Sequence, residues 1–306
     1  MQPHDPVYGS PDEAHRDPLI HQPQDPPIAA EARTAAAIRH GSLPRMPKPT
    51  RRRVMVVANQ KGGVGKTTTT VNVAAALSMH GLNVLVLDLD PQGNASTALG
   101  VPHHTGVPST YEMLVEGAGV KECVQEVEGL PGLLCVPATI DLAGAELELV
   151  PMVARESRLH KAIEAYTEDV DYVLIDCPPS LGLLTLNALV ASREVLIPIQ
   201  CEYYALEGLG QLLRNVDLVK AHLNPDLAVS TILLTMYDSR TRLAQQVAEE
   251  VRSHFGDTVL KTAVPRSVRI SEAPSYGQTV IAYDPGSAGA LSYMEAAREI
   301  AAAGAG

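Results

Sequence analysis

The stretch Asn59-Gln60-Lys61-Gly62-Gly63-Val64-Gly65-Lys66-Thr67-Thr68 decides how the rest of the chain reads. A short apolar run, VMVVA at 54–58, leads into it, and a helical pattern over 66–80 follows. The common phosphate loop, G-x-x-x-x-G-K-[ST], would put its first glycine at position 60, which here is Gln60. The Gly-Lys-Thr end is intact. Glycines let backbone N–H groups turn inward around phosphate oxygens, and a helix beginning near Lys66 aims its positive end at the same place. Lys66 is placed to reach the outer phosphates and the Thr67 hydroxyl to bind Mg²⁺. The plainer alternative is a glycine turn between strand and helix with no ligand. The loop carries a second lysine, Lys61, ahead of its glycines, so two cations lie close to any bound phosphate.

Working outward, further β-rich runs occur at 84–88, 133–137, 172–176, 195–199 and 229–235. Several are continuously apolar, as strands covered on both faces must be. Helical patterns lie between them at 155–167, 181–191, 206–222, 240–255 and 288–303. This alternation predicts an α/β fold: a doubly wound, mostly parallel sheet with helices on both faces, of the P-loop NTPase type. Ligands of such sheets sit beyond the C-terminal strand ends. Two carboxylate sites fall there. Asp88 and Asp90 share one face of the chain after the second run; they suit Mg²⁺ or water handling, or else cap the helix that follows Asn94. Asp176 follows four apolar residues, the Walker B pattern that holds Mg²⁺ through water.

Composition bounds the partners. The chain has 306 residues, 45% hydrophobic and 19% charged, enough for a large core. It has no Trp and one Phe, so that core is aliphatic. No apolar run is long enough to span a membrane, and the acidic, proline-bearing start is unlike a signal peptide; both point to a cytoplasmic protein. The net charge is 24 − 35 = −11, so any nucleic-acid contact must come from a local patch. Cys123, Cys135, Cys177 and Cys201 form no C-x-x-C pair and are expected to be reduced core thiols.

Residues 1–50 hold ten of the 23 prolines and four of the ten histidines. They are expected to form a disordered tail ending in a basic linker, with alanines dense enough at 28–40 for a short helix. The run 45–53 carries five basic residues and no acid; it is either a solvated linker or a weak phosphate-binding patch. The expected catalytic domain is 51–306.

The box K-G-G-V-G-K-T resembles the deviant Walker A motif of the ParA/MinD family of ATPases. D-L-D-P-Q-G-N, D-C-P-P-S-L-G, Q-C-E-Y-Y-A-L-E-G-L and P-R-S-V-R-I-S-E-A-P-S-Y-G, from about residue 54 to 300, resemble the Soj-like chromosome partition ATPases of that family. The resemblance implies ATP and Mg²⁺ as cofactors, with Lys61, Lys66 and Asp90 as the catalytic set. Lys61 would reach across a dimer interface to the partner's ATP, and Asp90 would position the attacking water. Gly62, Gly63, Val64, Gly65, Lys66, Thr67 and Thr68 would cradle the nucleotide, with Thr67 and, through water, Asp176 as the Mg²⁺ ligands. Pro265 and Arg266 would flank the base, although Ser267 stands where the family often has Asn. Arg240 and Arg269 map to arginines that bind DNA without sequence preference; ordinary solvated arginine is the alternative. The implied partners are non-specific double-stranded DNA of the nucleoid, a ParB-type partition protein and a second copy bound in an ATP-dependent homodimer. A membrane-surface role of the MinD type needs a basic amphipathic C-terminal helix, which 292–306 lacks. A redox ATPase like the nitrogenase iron protein needs interface cysteine pairs. A small-molecule ligase such as dethiobiotin synthetase is disfavoured by the partition boxes.

Overall fold

Strand–helix alternation governs the observed chain from end to end. The computed structural model describes residues 27–203 and 205–304. In chain order they form α1 (Pro27–His40), β1 (Arg53–Val57), α2 (Lys66–Met79), β2 (Val84–Asp88), α3 (Asn94–Ala98), α4 (Val120–Cys123), β3 (Gln125–Glu126) and β4 (Leu133–Val136). There follow α5 (Leu142–Leu149), α6 (Arg158–Ala165), β5 (Tyr172–Asp176), α7 (Leu183–Ala191), β6 (Glu194–Gln200) and α8 (Ala205–His222). The last third is β7 (Ala228–Tyr237), α9 (Arg242–Phe255), β8 (Val259–Pro265), α10 (Val268–Glu272), α11 (Val280–Tyr283) and α12 (Ala288–Ala303).

The strands form one eight-stranded sheet in the order β3-β4-β2-β5-β1-β6-β7-β8. Only the two-residue β3 runs antiparallel, against β4. All five residues of β2 and of β5 are buried, which is why these strands read as continuous apolar runs. Successive side chains still separate onto two faces. Val54 and Val56 of β1 join Leu159 of α6, Leu184 of α7 and Leu212 of α8. Met55 and Val57 join Val73 of α2 and Met294 of α12 on the other face. The doubly wound sheet expected from the runs is thus present, with the predicted helices within a few residues of their expected bounds.

One boundary is corrected. Residues 1–26 of the expected tail lie outside the described residues, but 27–50 do not behave as a free tail. Ala35 and Ile38 of α1 are 3% and 6% exposed and Met46 is 7% exposed. Ile38 and Met46 belong to the core cluster of α2 and α12. The Met46 N–H donates to the His80 carbonyl at 3.1 Å. A few apolar side chains suffice to dock this segment, despite its overall polarity.

Candidate functional site

β1 and α2 build the phosphate loop. Gly63 and Gly65 have φ of +74° and +88°, the left-handed region that glycine enters without strain. Their turn lets Lys66 start the helix. The loop is fastened from beneath: Thr235 Oγ1 donates to the Val64 carbonyl at 2.8 Å, Asn59 Nδ2 to the Pro198 carbonyl at 2.9 Å, and the Lys61 N–H to Asn59 Oδ1 at 3.0 Å. The first turn of α2 then opens onto a cavity of about 670 Å³, a volume suited to a nucleotide.

Gly62, Gly63, Gly65, Lys66, Thr67 and Thr68 line this cavity. Lys66 is 7% exposed; burial pulls its ammonium below the ordinary lysine value, against the opposing pull of Asp176, Cys177 and Asp90. Its Nζ donates to the Lys61 carbonyl at 3.2 Å. Two of the expected loop residues stand outside. Val64 is 1% exposed, so its side chain belongs to the core and only its backbone faces the loop. Lys61 does not line the cavity, and its Nζ is ion-paired with Glu202 of its own chain.

The two carboxylates of the D-L-D box take different jobs. Asp88 is fully buried and accepts from the Ser96 N–H at 2.9 Å, the Ser96 hydroxyl at 2.7 Å and the Asp90 N–H at 3.1 Å. It ties the start of α3 to the end of β2, the capping alternative. Asp90 lines the cavity, its Oδ1 accepting, among the described residues, only the Gln92 N–H at 3.0 Å. β2 and β5 pair in register, so Asp88 and Asp176 are neighbours. Burial pushes Asp176 upward, and the charge of Asp88 adds to it. Thr70 Oγ1 donates to Asp176 Oδ1 at 3.1 Å, while Asp176 Oδ2 is buried with no hydrogen-bond partner among the described residues. The Thr67 hydroxyl bears on the same carboxylate and opposes its upward shift; a hydroxyl beside a buried carboxylate is the donor set a hydrated Mg²⁺ takes, oxygen only and few protein ligands. The residues fit that ion.

Away from the phosphate loop the lining of the cavity differs from the expectation. Pro265 and Arg266 do not line it. β8 ends at Pro265 on the sheet edge, Arg266 is exposed, and the chain turns at Ser267 into α10. Ile270 and Pro274, later in the same box, line the cavity instead, with Gln278, Asn72 and Met236. Met236 adopts φ +50° at the end of β7. A non-glycine residue in that region beside a ligand cavity is the kind of local strain that functional sites hold. Its only sequence signal was its place at a C-terminal strand end.

Arg240 and Arg269 are surface residues, 88% and 55% exposed at the side chain. Arg240 makes a bidentate pair with Asp238 at 2.9 and 2.8 Å and holds that carboxyl down at about 2. Arg269 pairs with Glu272 at 3.2 Å and Asp284 at 3.4 Å. All four cysteines are free and buried, and burial raises each thiol above its usual range. No described helix is long and apolar enough to cross a membrane. α12 packs on α2 and β8 with Tyr293 and Met294 buried, so its apolar face is already covered.

Residues 52–229 match the family model described as an AAA domain. The sporulation initiation inhibitor protein Soj of Bacillus subtilis is 54% identical over 252 residues, spanning 82% of this chain and 99% of that protein. The chromosome partitioning protein ParA of Myxococcus xanthus is 52% identical over 81% of this chain and 87% of its own. Among solved structures, cobyrinic acid a,c-diamide synthase of Mycobacterium smegmatis, with bound ADP and magnesium, superposes with a TM-score of 0.70 at 40% identity, covering 81% of this chain and 93% of that one. The septum site-determining protein MinD of Pyrococcus horikoshii, complexed with Mg-ADP, gives 0.65 at 25% identity over 82% and 96%.

Proposed function

This chain belongs to the Soj/ParA family of chromosome-partitioning ATPases, and from that premise we propose that it is a nucleotide-gated switch: Mg-ATP closes two copies into a dimer, the dimer holds DNA without sequence preference, and hydrolysis stimulated by a ParB-type protein releases it. The observation that carries the reading is the glycine loop with Lys66, Thr67 and Asp90 lining one cavity, the buried carboxylate of Asp176 lying behind Thr67. We place the catalytic unit at 51–306, with 27–46 docked against it.

Lys66 and the first N–H groups of α2 bind the outer phosphates. Thr67 and, through water, Asp176 hold Mg²⁺, which when bound neutralises charge on the phosphates. Asp90 orients the attacking water. Lys61, held by Glu202 in the single chain, exchanges that pair for the partner copy's phosphates on dimerisation. Arg240 and Arg269 contact DNA phosphates. Their exposed ion pairs are weak in water, so a polyanion can displace the local acids. Dimerisation doubles this patch on an otherwise acidic chain. The molecule then works in the cytoplasm, on the nucleoid.

The test is DNA binding and sedimentation in ADP, ATP and a non-hydrolysable analogue. ATP-dependent dimers that bind any duplex, lost in Arg240→Ala/Arg269→Ala without loss of dimerisation, are the expected result. DNA binding that ignores the nucleotide would reject the switch. So would a Lys61→Ala protein that dimerises normally.

A further inference from the structure

Most of the basic run at 45–53 is engaged within the chain. Lys48 pairs with Asp171 at 3.2 Å and Asp169 at 3.4 Å. Arg52 donates to the Ile163 and Glu168 carbonyls at 3.2 and 2.8 Å and stands over the Tyr166 ring. Arg53 holds Glu194, and the stem of Arg45 packs beside Gly81. Arg51 differs from these four. It is exposed, and its side chain has no hydrogen bond or ion pair among the described residues.

Arg51 lines a cavity of about 400 Å³ at the N-terminal edge of the sheet. Arg193 lines it too, also exposed and without a side-chain partner among the described residues. Both arginines stand on fixed backbone. The Arg193 N–H donates to the Val54 carbonyl at 3.1 Å, the Arg193 carbonyl accepts from the Ala228 N–H at 3.0 Å, and β1 begins two residues after Arg51. Ser192 is a third lining residue, 1% exposed. Its N–H donates to the Ala188 carbonyl at 3.1 Å and its carbonyl accepts from Asn224 Nδ2 at 2.5 Å. Only the Ser192 hydroxyl is left over, buried with no partner among the described residues.

α7 ends beside this cavity, and the last carbonyls of a helix ordinarily repel an anion. Asn224 covers them here: its Nδ2 also donates to the Leu189 and Val190 carbonyls at 2.9 and 3.2 Å. Two acids share the lining, Glu164 of α6 and Asp226 before β7, with His160 one turn before Glu164.

We propose that this cavity binds a small phosphate-bearing ligand, one phosphoryl group being held by Arg51 and Arg193 and accepting from the Ser192 hydroxyl. Guanidinium forks match phosphate oxygens two at a time. A buried hydroxyl without a partner is costly, and an acceptor oxygen brought against it removes that cost. The acids decide for a compact ligand over a polyanion. Glu164 and Asp226 repel a continuous row of phosphates, whereas a single phosphoryl group at the arginines leaves both free to accept from hydroxyl or amino groups of the ligand. The cavity shares no residue with the one at the phosphate loop, so the proposal does not rest on the nucleotide reading.

The test titrates inorganic pyrophosphate into the full chain, into Lys66→Ala and into Arg51→Ala/Arg193→Ala, with amide exchange to locate the binding. Lys66→Ala is expected to keep one binding event, which slows exchange at 51–54 and 192–194. The arginine double variant should bind there tenfold more weakly or worse, the loss of two charged hydrogen-bonding groups, and Arg51→Lys/Arg193→Lys should recover part of it. Both arginines are exposed, so the melting temperature without ligand should hold. Loss of all pyrophosphate binding in Lys66→Ala, or unchanged affinity at 51–54 and 192–194 in the double variant, overturns the site. Duplex DNA that displaces pyrophosphate from it, and binds more weakly to the double variant, also overturns it by making a polyanion the occupant. A Lys66→Ala chain that binds pyrophosphate as well as wild type at every site would count against the phosphate loop and leave this site standing.

Discussion

At the N-terminal edge of the sheet, Arg53 opens β1 and Glu194 opens β6. Their side chains meet in a two-pronged pair at 2.7 and 2.5 Å. Arg53 also donates to the Ile300 carbonyl at 2.6 Å and lies 5.3 Å from the centre of the Tyr172 ring. Against the upward push of burial, this pairing keeps Glu194 below the usual glutamate range. At the opposite edge, Asp176 ends β5 with one buried oxygen unpartnered, and burial pulls Lys66 below the ordinary lysine value. The same strands therefore begin in a closed charge network and end in an open one. A closed network stabilises the chain whether or not a ligand is present. An open one leaves desolvated charge that a ligand of matching sign relieves.

Breaking the closed end should have the largest effect. Arg53→Ala strands a part-buried Glu194 and frees the Ile300 carbonyl, at a cost of about 3–5 kcal/mol. The midpoint of thermal unfolding should fall by roughly 10 °C, with ATP affinity unchanged in the folded fraction. At the open end the signs reverse. Lys66→Ala removes a poorly solvated cation, so the ligand-free protein should melt no lower than wild type. ATP affinity should fall about a hundredfold, near 3 kcal/mol of lost charged hydrogen bonds, as read by calorimetry. A Lys66 variant that unfolds early yet binds ATP would erase the distinction between the two ends.

The open end was the more legible in the sequence. Gly62 to Thr68 and Asp176 announce themselves because phosphate and Mg²⁺ demand particular residue types at fixed spacing. The parallel sheet was legible too, since double-sided burial leaves unbroken apolar runs such as 172–176. What stayed hidden depends on which distant residues meet. Asp88 and Asp90 are alike in pattern, and only Ser96 folding back onto Asp88 separates the cap from the cavity residue. The resemblance put Pro265 and Arg266 beside the base; they do not line the cavity, since β8 stops at Pro265 and the chain reaches the lining only at Ile270. Docking of 27–46 was missed because Ile38 and Met46 are lone apolar residues in a polar stretch. The Arg53–Glu194 pair, separated by 141 positions, left no local signal at all.

Asp90 tests whether openness at the C-terminal edge serves binding or chemistry. It lines the cavity without being tied down as Asp88 is. A carboxylate that only orients water acts on the chemical step. Asp90→Ala should keep ATP affinity within about twofold and lower turnover tenfold or more, the usual range for a lost acid–base contact. Single-turnover hydrolysis beside equilibrium ATP binding checks this. Equal losses in both would make Asp90 part of the phosphate cradle instead.

The smallest effect concerns the exception at the closed end. His80 follows α2, at the far end of the helix from Lys66, and is 1% exposed. Its Nδ1 donates to the Pro44 carbonyl at 2.5 Å, while its Nε2 is buried with no partner among the described residues. Burial pushes the imidazole below its ordinary value, more than the Pro44 carbonyl raises it; from α12, Arg298 pushes it down and Glu295 up. A second proton would thus create an unpaired buried cation at the point where 41–46 is fastened. Because the folded value lies below the unfolded one, the unfolded chain takes the proton first as pH falls through about 6.5. The His80 contribution is therefore constant above that pH and turns destabilising as pH drops toward the folded value. Denaturant midpoints at pH 7.5 and 5.5 should fall further for wild type than for His80→Gln, which has no proton to take. Amide exchange at Met46, whose N–H is held by the His80 carbonyl, should quicken at the lower pH in wild type alone. Equal falls in the two proteins would mean that Nε2 meets a partner or water in solution, and the closed end would then have no exception at this site.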